Sequence, residues 1–261
     1  MNNLGLPPII QGGMGAAVSS WYLARTVANE GQLGVVSGTA LETVVTRRLQ
    51  NGDEGGHMQE ALAHFPYPEV AEEILAKFYK PEGRQGKPFR PMRRLSLDAH
   101  KEHDQLAVAS NFVEVWLAKQ SGNGKVGINF LEKLQTATPA ALYGAMLAGV
   151  DAILMGAGIP REIPKLMTDF SQGKPGQLSI DSDRPAGMAA PILEFNPLES
   201  FGKAPELPRP AFLAIVTAEV LASYLARDEI TRPDGFVVEH FMAGGHNAPP
   251  RKLQDTETGY G

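Results

Sequence analysis

The sequence predicts an α/β protein: a TIM (β/α)8-type barrel that stops after about six strands, with a helical insertion after strand 2. Two observations carry this. Short apolar runs ending in Gly or Ser alternate with helical patterns, and paired runs start 25, 25 and 23 residues apart (near 9 and 34, 126 and 151, 212 and 235), the length of one βα unit. The residues with chemical promise follow several different strands, which suits a barrel with its site at the carboxyl rim better than a doubly wound sheet. An open six-stranded sheet, complete as it stands, is the alternative.

The first run, Pro8-Ile9-Ile10-Gln11-Gly12, reads as a strand apolar on both faces. Ser19 and Ser20 then precede Trp21, Ala24, Val27 and Ala28, with Gly31 after the last turn, the start and stop signals of a helix. Gly34-Val35-Val36-Ser37 is the second strand. The insertion spans about 47–122 and holds two helical stretches, Val70/Ile74/Phe78 and Leu106/Ala109/Val113/Trp116, around a Pro/Arg-rich loop over 81–95.

Val126-Gly127-Ile128-Asn129-Phe130 is the third strand. Thr138-Pro139 opens a helix that turns Leu142, Ala145 and Met146 inward and stops at Gly149. Ala152–Gly156 is the fourth strand, and the proline-rich stretch of about 171–210 is an irregular excursion or small β extension rather than a linker. Phe212–Val216 and Gly235–Glu239 are the fifth and sixth strands. After Glu239 only 22 residues remain, less than one further unit, so residues 1–261 read as one incomplete barrel domain.

Composition narrows the function. Hydrophobic residues make up 43% of the chain and charged residues 20%, enough apolar material for one sizeable core. Lys and Arg total 24 against 29 Asp and Glu, a net charge of −5 that argues against nucleic acid as a partner. Zero cysteines exclude disulfides, thiolate metal sites, iron–sulfur clusters and a cysteine nucleophile within this chain. Nothing reads as a signal peptide or an 18-residue apolar run, so no membrane contact and a cytoplasmic location are expected.

Gln11-Gly12-Gly13-Met14-Gly15 follows the first strand, where glycines let main-chain N–H groups approach a flat or phosphorylated ligand. It is not a dinucleotide fingerprint, because Val18 stands where the third Gly belongs and Ser37 ends the second strand without an acid. Ala243-Gly244-Gly245-His246 follows the sixth strand and puts an imidazole on glycine-freed backbone at the rim, a candidate general base near neutral pH. Asn129 ends the third strand with an amide able to pair with a heterocycle edge, a turn cap being its bland reading. Glu239 ends the sixth strand, and Thr217 begins the helix after the fifth, where an N-cap is the bland reading.

Other candidates rank lower. His57 of the second Gly-Gly-His sits in a polar, acidic loop with no strand before it. His100, His103 and Asp104 lie on a charged helix face and read as solvated surface rather than metal ligands. Arg25, Arg47 and Arg48 are expected to face solvent. Lys125 precedes its strand, which disfavours a Schiff-base lyase or aldolase.

Taken together, residues 8–15, 126–130, Gly156-Ala157-Gly158-Ile159-Pro160 and Ala243-Gly244-Gly245-His246 resemble the nitronate monooxygenase (2-nitropropane dioxygenase-like) family of FMN-dependent TIM barrels. The resemblance implies FMN as cofactor, contacted by Gly12, Gly13, Met14 and Asn129, and it implies His246 as catalytic base or nitro-group ligand. Thr217, Glu239, Gly244 and Gly245 complete the expected cofactor-binding set, with no metal. The implied partners are a nitronate or nitroalkane substrate and dioxygen, in a chain able to form homo-oligomers.

Two departures from the family accompany this. His240 stands where a small residue is usual, and the family's phosphate loops follow strands 7 and 8, which the six-stranded reading lacks, leaving half a flavin site. A flavin-dependent enoyl-thioester reductase using NAD(P)H is the alternative within the fold. A non-catalytic fragment is the alternative outside it.

Overall fold

Five parallel strands form one sheet whose order in space follows their order along the chain: β1 (Leu33–Ser37), β2 (Lys125–Leu131), β3 (Ala152–Gly156), β6 (Ala211–Val216) and β7 (Gly235–Val238). The computed structural model describes residues 4–92, 100–120, 122–182, 187–240 and 243. The strand order never reverses, so the sheet has no switch point of the doubly wound kind among these residues. The helices are α1 (Trp21–Asn29), α2 (Leu41–Gln50), α3 (His57–Ala63), α4 (Pro68–Phe78), α5 (Lys101–Lys119), α6 (Thr138–Leu147), α7 (Ile163–Ser171), α8 (Pro197–Phe201) and α9 (Glu219–Leu225).

The apolar runs of β1, β2, β3 and β6 are strands buried on both faces, whereas β7 leaves Phe236 and Val238 exposed. Val36, Val126, Ile128, Ile153, Met155, Phe212 and Ala214 face the helices and merge with the main core. Leu33, Val35, Ala152, Leu154 and Leu213 pack on the opposite face with Leu6 of the N-terminal segment. Leu4 reaches the same face: a Cβ on Gly235 would stand 3.3 Å from its side chain. The N-terminal segment thus plugs the amino ends of the strands, while the carboxyl ends stay open.

Helix α1 packs so close to β1 that a Cβ on Gly34 would stand 1.9 Å from the Ala24 carbonyl oxygen, which only glycine permits. The capping signals place this helix correctly, with Ser20 at its N-cap and Gly31 after its end at φ 73°. Helix α6 runs from Thr138 with Leu142, Ala145 and Met146 buried, and Gly149 follows it at φ 71°. Helices α4 and α5 bury Val70, Ile74 and Phe78, and Leu106, Ala109 and Val113, as their spacing predicts. The excursion is an antiparallel hairpin, β4 (Gly176–Ser179) with β5 (Ile192–Phe195), followed by α8.

Several expectations need correction. The run 8–12 is not a full strand: it makes one parallel bridge, Ile10 to Leu33. The ladder starts with Leu33 N–H to Ile9 O (3.0 Å) and Gln11 N–H to Leu33 O (3.0 Å). It then stops because the Gln11 side chain, not its backbone, takes the Val35 N–H (2.9 Å), and the chain peels away at Gly12.

His57 opens α3 instead of lying in a loop, because the Asp53 carboxylate accepts from Met58 N–H (3.0 Å) and Gln59 N–H (2.9 Å). Arg25 and Arg48 do not simply face solvent. Arg25 donates to Leu117 O through Nε (2.9 Å) and Nη2 (2.7 Å), and Arg48 pairs with the buried Glu114. Arg47 is exposed as expected.

Candidate functional site

A cavity of about 560 Å3 opens at the carboxyl ends of the strands, within the range of small-molecule and cofactor sites. Its wall draws on the glycine loop (Gly12, Gly13 and Met14), on the strands' carboxyl-end residues Asn129 and Ile215, and on Thr39, Ala157 and Glu239 just beyond β1, β3 and β7. The sheet places these side chains together because all its strands are parallel, so all their carboxyl ends share one edge.

The glycine loop is shaped by its neighbours. Ser19, itself buried, donates through Oγ to Gly12 O (3.1 Å) and accepts from Met14 N–H (2.9 Å) and Gln11 Nε2 (3.1 Å). Ser37 Oγ donates to Gly15 O. Gly13 lies flat against β1 and β2: a Cβ there would stand 2.8 Å from Asn129 Cβ and from Val35 Cγ1. At Gly12 the space is open, the nearest atom to such a Cβ being Met14 Cγ at 3.9 Å. Neither the Gly12 nor the Gly13 N–H donates to a described residue.

Asn129 spans loop and strand. Its Nδ2 donates to Gly13 O (2.7 Å), and its Oδ1 is shielded from solvent yet accepts from nothing among the described residues. Such an orphaned buried oxygen carries a desolvation cost. Glu239 continues β7 by one hydrogen bond, N–H to Val216 O (2.8 Å). Burial pushes its carboxyl above the ordinary carboxylate range.

The sequence-predicted residues divide into three groups. Gly12, Gly13, Met14, Asn129 and Glu239 come together at the cavity, and His240 lines it beside them. Thr217 does not: it is buried behind the end of β6, and the N-cap of α9 is Ala218 rather than Thr217. Gly244, Gly245 and His246 lie outside the described residues, although Ala243, just before them, lines the cavity.

Sequence reasoning missed Ala17, Ala40 and Ala157, which hold left-handed backbone at φ 60°, 53° and 62° on loops at the strands' carboxyl edge. Each costs about 1–2 kcal/mol for a residue with a Cβ, strain that clusters at functional sites. Only Ala157 had a signal, the flanking glycines of Gly156-Ala157-Gly158. The solvated histidine face was also misjudged. His100 precedes α5 at its N-cap, while the His103 side chain is only 13% exposed.

No protein-family model matches the chain, and no curated protein matches it. No helix among the described residues is long and apolar enough to cross a membrane.

Proposed function

We propose that the chain is the FMN-binding part of a TIM-barrel oxidoreductase of the nitronate monooxygenase type, which oxidises nitronates or nitroalkanes with dioxygen. Asn129 carries this reading. It lines the cavity and its Nδ2 holds the glycine loop at Gly13 O, while the Gly12 and Gly13 N–H groups, which donate to no described residue, are donors for a ring carbonyl or nitrogen. A flat heterocycle with acceptor atoms along one edge fits these donors, and the cavity volume accommodates one. Consecutive parallel strands with a site at their carboxyl ends are the arrangement of such barrels.

Bound FMN would supply the redox chemistry, taking electrons from the substrate and passing them to dioxygen. The chain's own residues bind, orient and exclude water. Met14, Leu154 and Ile215 give the cavity an apolar lining, and Asn129 and Glu239 supply its polar points. His246, three residues beyond the cavity-lining Ala243, is the base that takes the α-proton of a neutral nitroalkane or the group that holds the nitro oxygens of a nitronate.

Oxygen consumption tests this. His246→Ala loses turnover of neutral nitroalkanes more than turnover of nitronates, because a nitronate has already lost the proton. Unchanged rates on both contradict the assignment. NADPH oxidation driven by an enoyl thioester, with no response to nitronates, selects the reductase reading instead.

A further inference from the structure

A second cavity, of about 160 Å3, lies beside the first and shares Thr39, Phe130 and Leu131 with it. Glu42, in the first turn of α2, lines this chamber and is only 7% exposed. The hydrogen bond to its carboxyl comes from its own main-chain N–H, and no side chain among the described residues donates to it. His103 is the other ionisable group of the described lining, and Met92, Phe130, Leu134 and Ala137 make most of the rest apolar.

The other deeply buried helix carboxylate among the described residues is treated differently. Glu114 receives both the Arg48 guanidinium and the Trp21 N–H (3.0 Å). A buried carboxyl that no described residue meets with a cation carries a desolvation cost that a cationic group entering the cavity offsets. Burial indeed pushes the Glu42 carboxyl above its ordinary range, against the pull of its own N–H and of His103.

We infer that this chamber is a binding site for a small primary alkylammonium ion, its head on the Glu42 carboxylate and its chain along Phe130, Leu134 and Ala137. The head supplies the side-chain donors and paired charge that Glu42 does not receive from the described residues, and the chain replaces water on an apolar wall. At ~30 Å3 per non-hydrogen atom the chamber holds about five, the size of butylammonium. The inference stands apart from the flavin reading, and its test needs no flavin.

Thermal unfolding of the chain is followed with n-butylammonium chloride, with 1-butanol and with sodium chloride at equal concentrations. The expected result is a saturable rise in Tm of several degrees with butylammonium alone. Glu42→Gln abolishes the rise. Ala137→Leu, which fills the chamber while leaving Glu42 in place, abolishes it too and keeps the test open should Glu42→Gln not fold. No rise in the parent chain, an equal rise with butanol, or a rise that survives Ala137→Leu overturns the inference.

Discussion

Asn129 Nδ2 donates a 2.7 Å hydrogen bond to Gly13 O, joining positions 116 residues apart, while Oδ1 of the same amide sits shielded and accepts from no described residue. One amide therefore fixes the glycine loop and carries a buried acceptor that no described residue meets. Asn129→Leu removes a hydrogen bond and an orphaned polar atom together, and these effects oppose each other. Its stability in urea is expected within about 1 kcal/mol of the parent, so that any larger effect on ligand binding is local.

The glycines of that loop differ in their tolerance. Gly13→Ala forces a Cβ to 2.8 Å from two side-chain atoms and 3.0 Å from Val36 O, so the loop must lift off the sheet. The expected cost is about 1–3 kcal/mol by denaturant unfolding. Gly12→Ala meets only Met14 Cγ at 3.9 Å and is expected to change stability by less than about 0.5 kcal/mol.

Glu114 ties three helices: it sits on α5, pairs with Arg48 of α2, and accepts from the Trp21 N–H that begins α1. Glu114→Ala strands the guanidinium and the helix N–H together, at an expected cost of about 3–5 kcal/mol. Because α1 follows the glycine loop directly, the loss should also speed proteolysis between Gly12 and Trp21. Unfolding curves and limited proteolysis check both.

Asp151 supplies a pH signature. Burial would raise its carboxyl, but Lys119 Nζ (2.8 Å), Val126 N–H (2.9 Å) and Lys125 Nζ (3.1 Å) all donate to it and hold it below the ordinary range. A carboxyl lowered on folding stabilises above its unfolded pKa and loses that contribution as pH falls through the folded one. Asp151→Asn is therefore expected to cost about 1–2 kcal/mol at pH 7, a deficit that shrinks as the pH falls below about 4. Urea midpoints across that range measure it.

The sheet was legible because strands apolar on both faces announce themselves locally: the runs at 34–37, 126–130, 152–156, 212–216 and 235–238 are all strands. The run at 8–12 has the same composition, yet a side-chain amide 24 residues from Val35 replaces its ladder, and no local pattern encodes that exchange. Arg48 reads as a solvent-facing charge, and Glu114 stands 66 residues away; their pairing exists only once α2 and α5 pack. The cavity residues were legible by rule, since carboxyl ends of parallel strands share one edge. Glu42 was not, because an acid in a helix's first turn ordinarily signals a favourable dipole and nothing more.

The most direct test is a difference absorbance titration of FMN into the chain and into Asn129→Leu. The account predicts a saturable, one-to-one perturbation of the flavin spectrum by the parent chain and at least a tenfold weaker one by the variant, about 1.4 kcal/mol. No perturbation by the parent chain, or equal binding by both, would contradict a flavin ring held at Asn129.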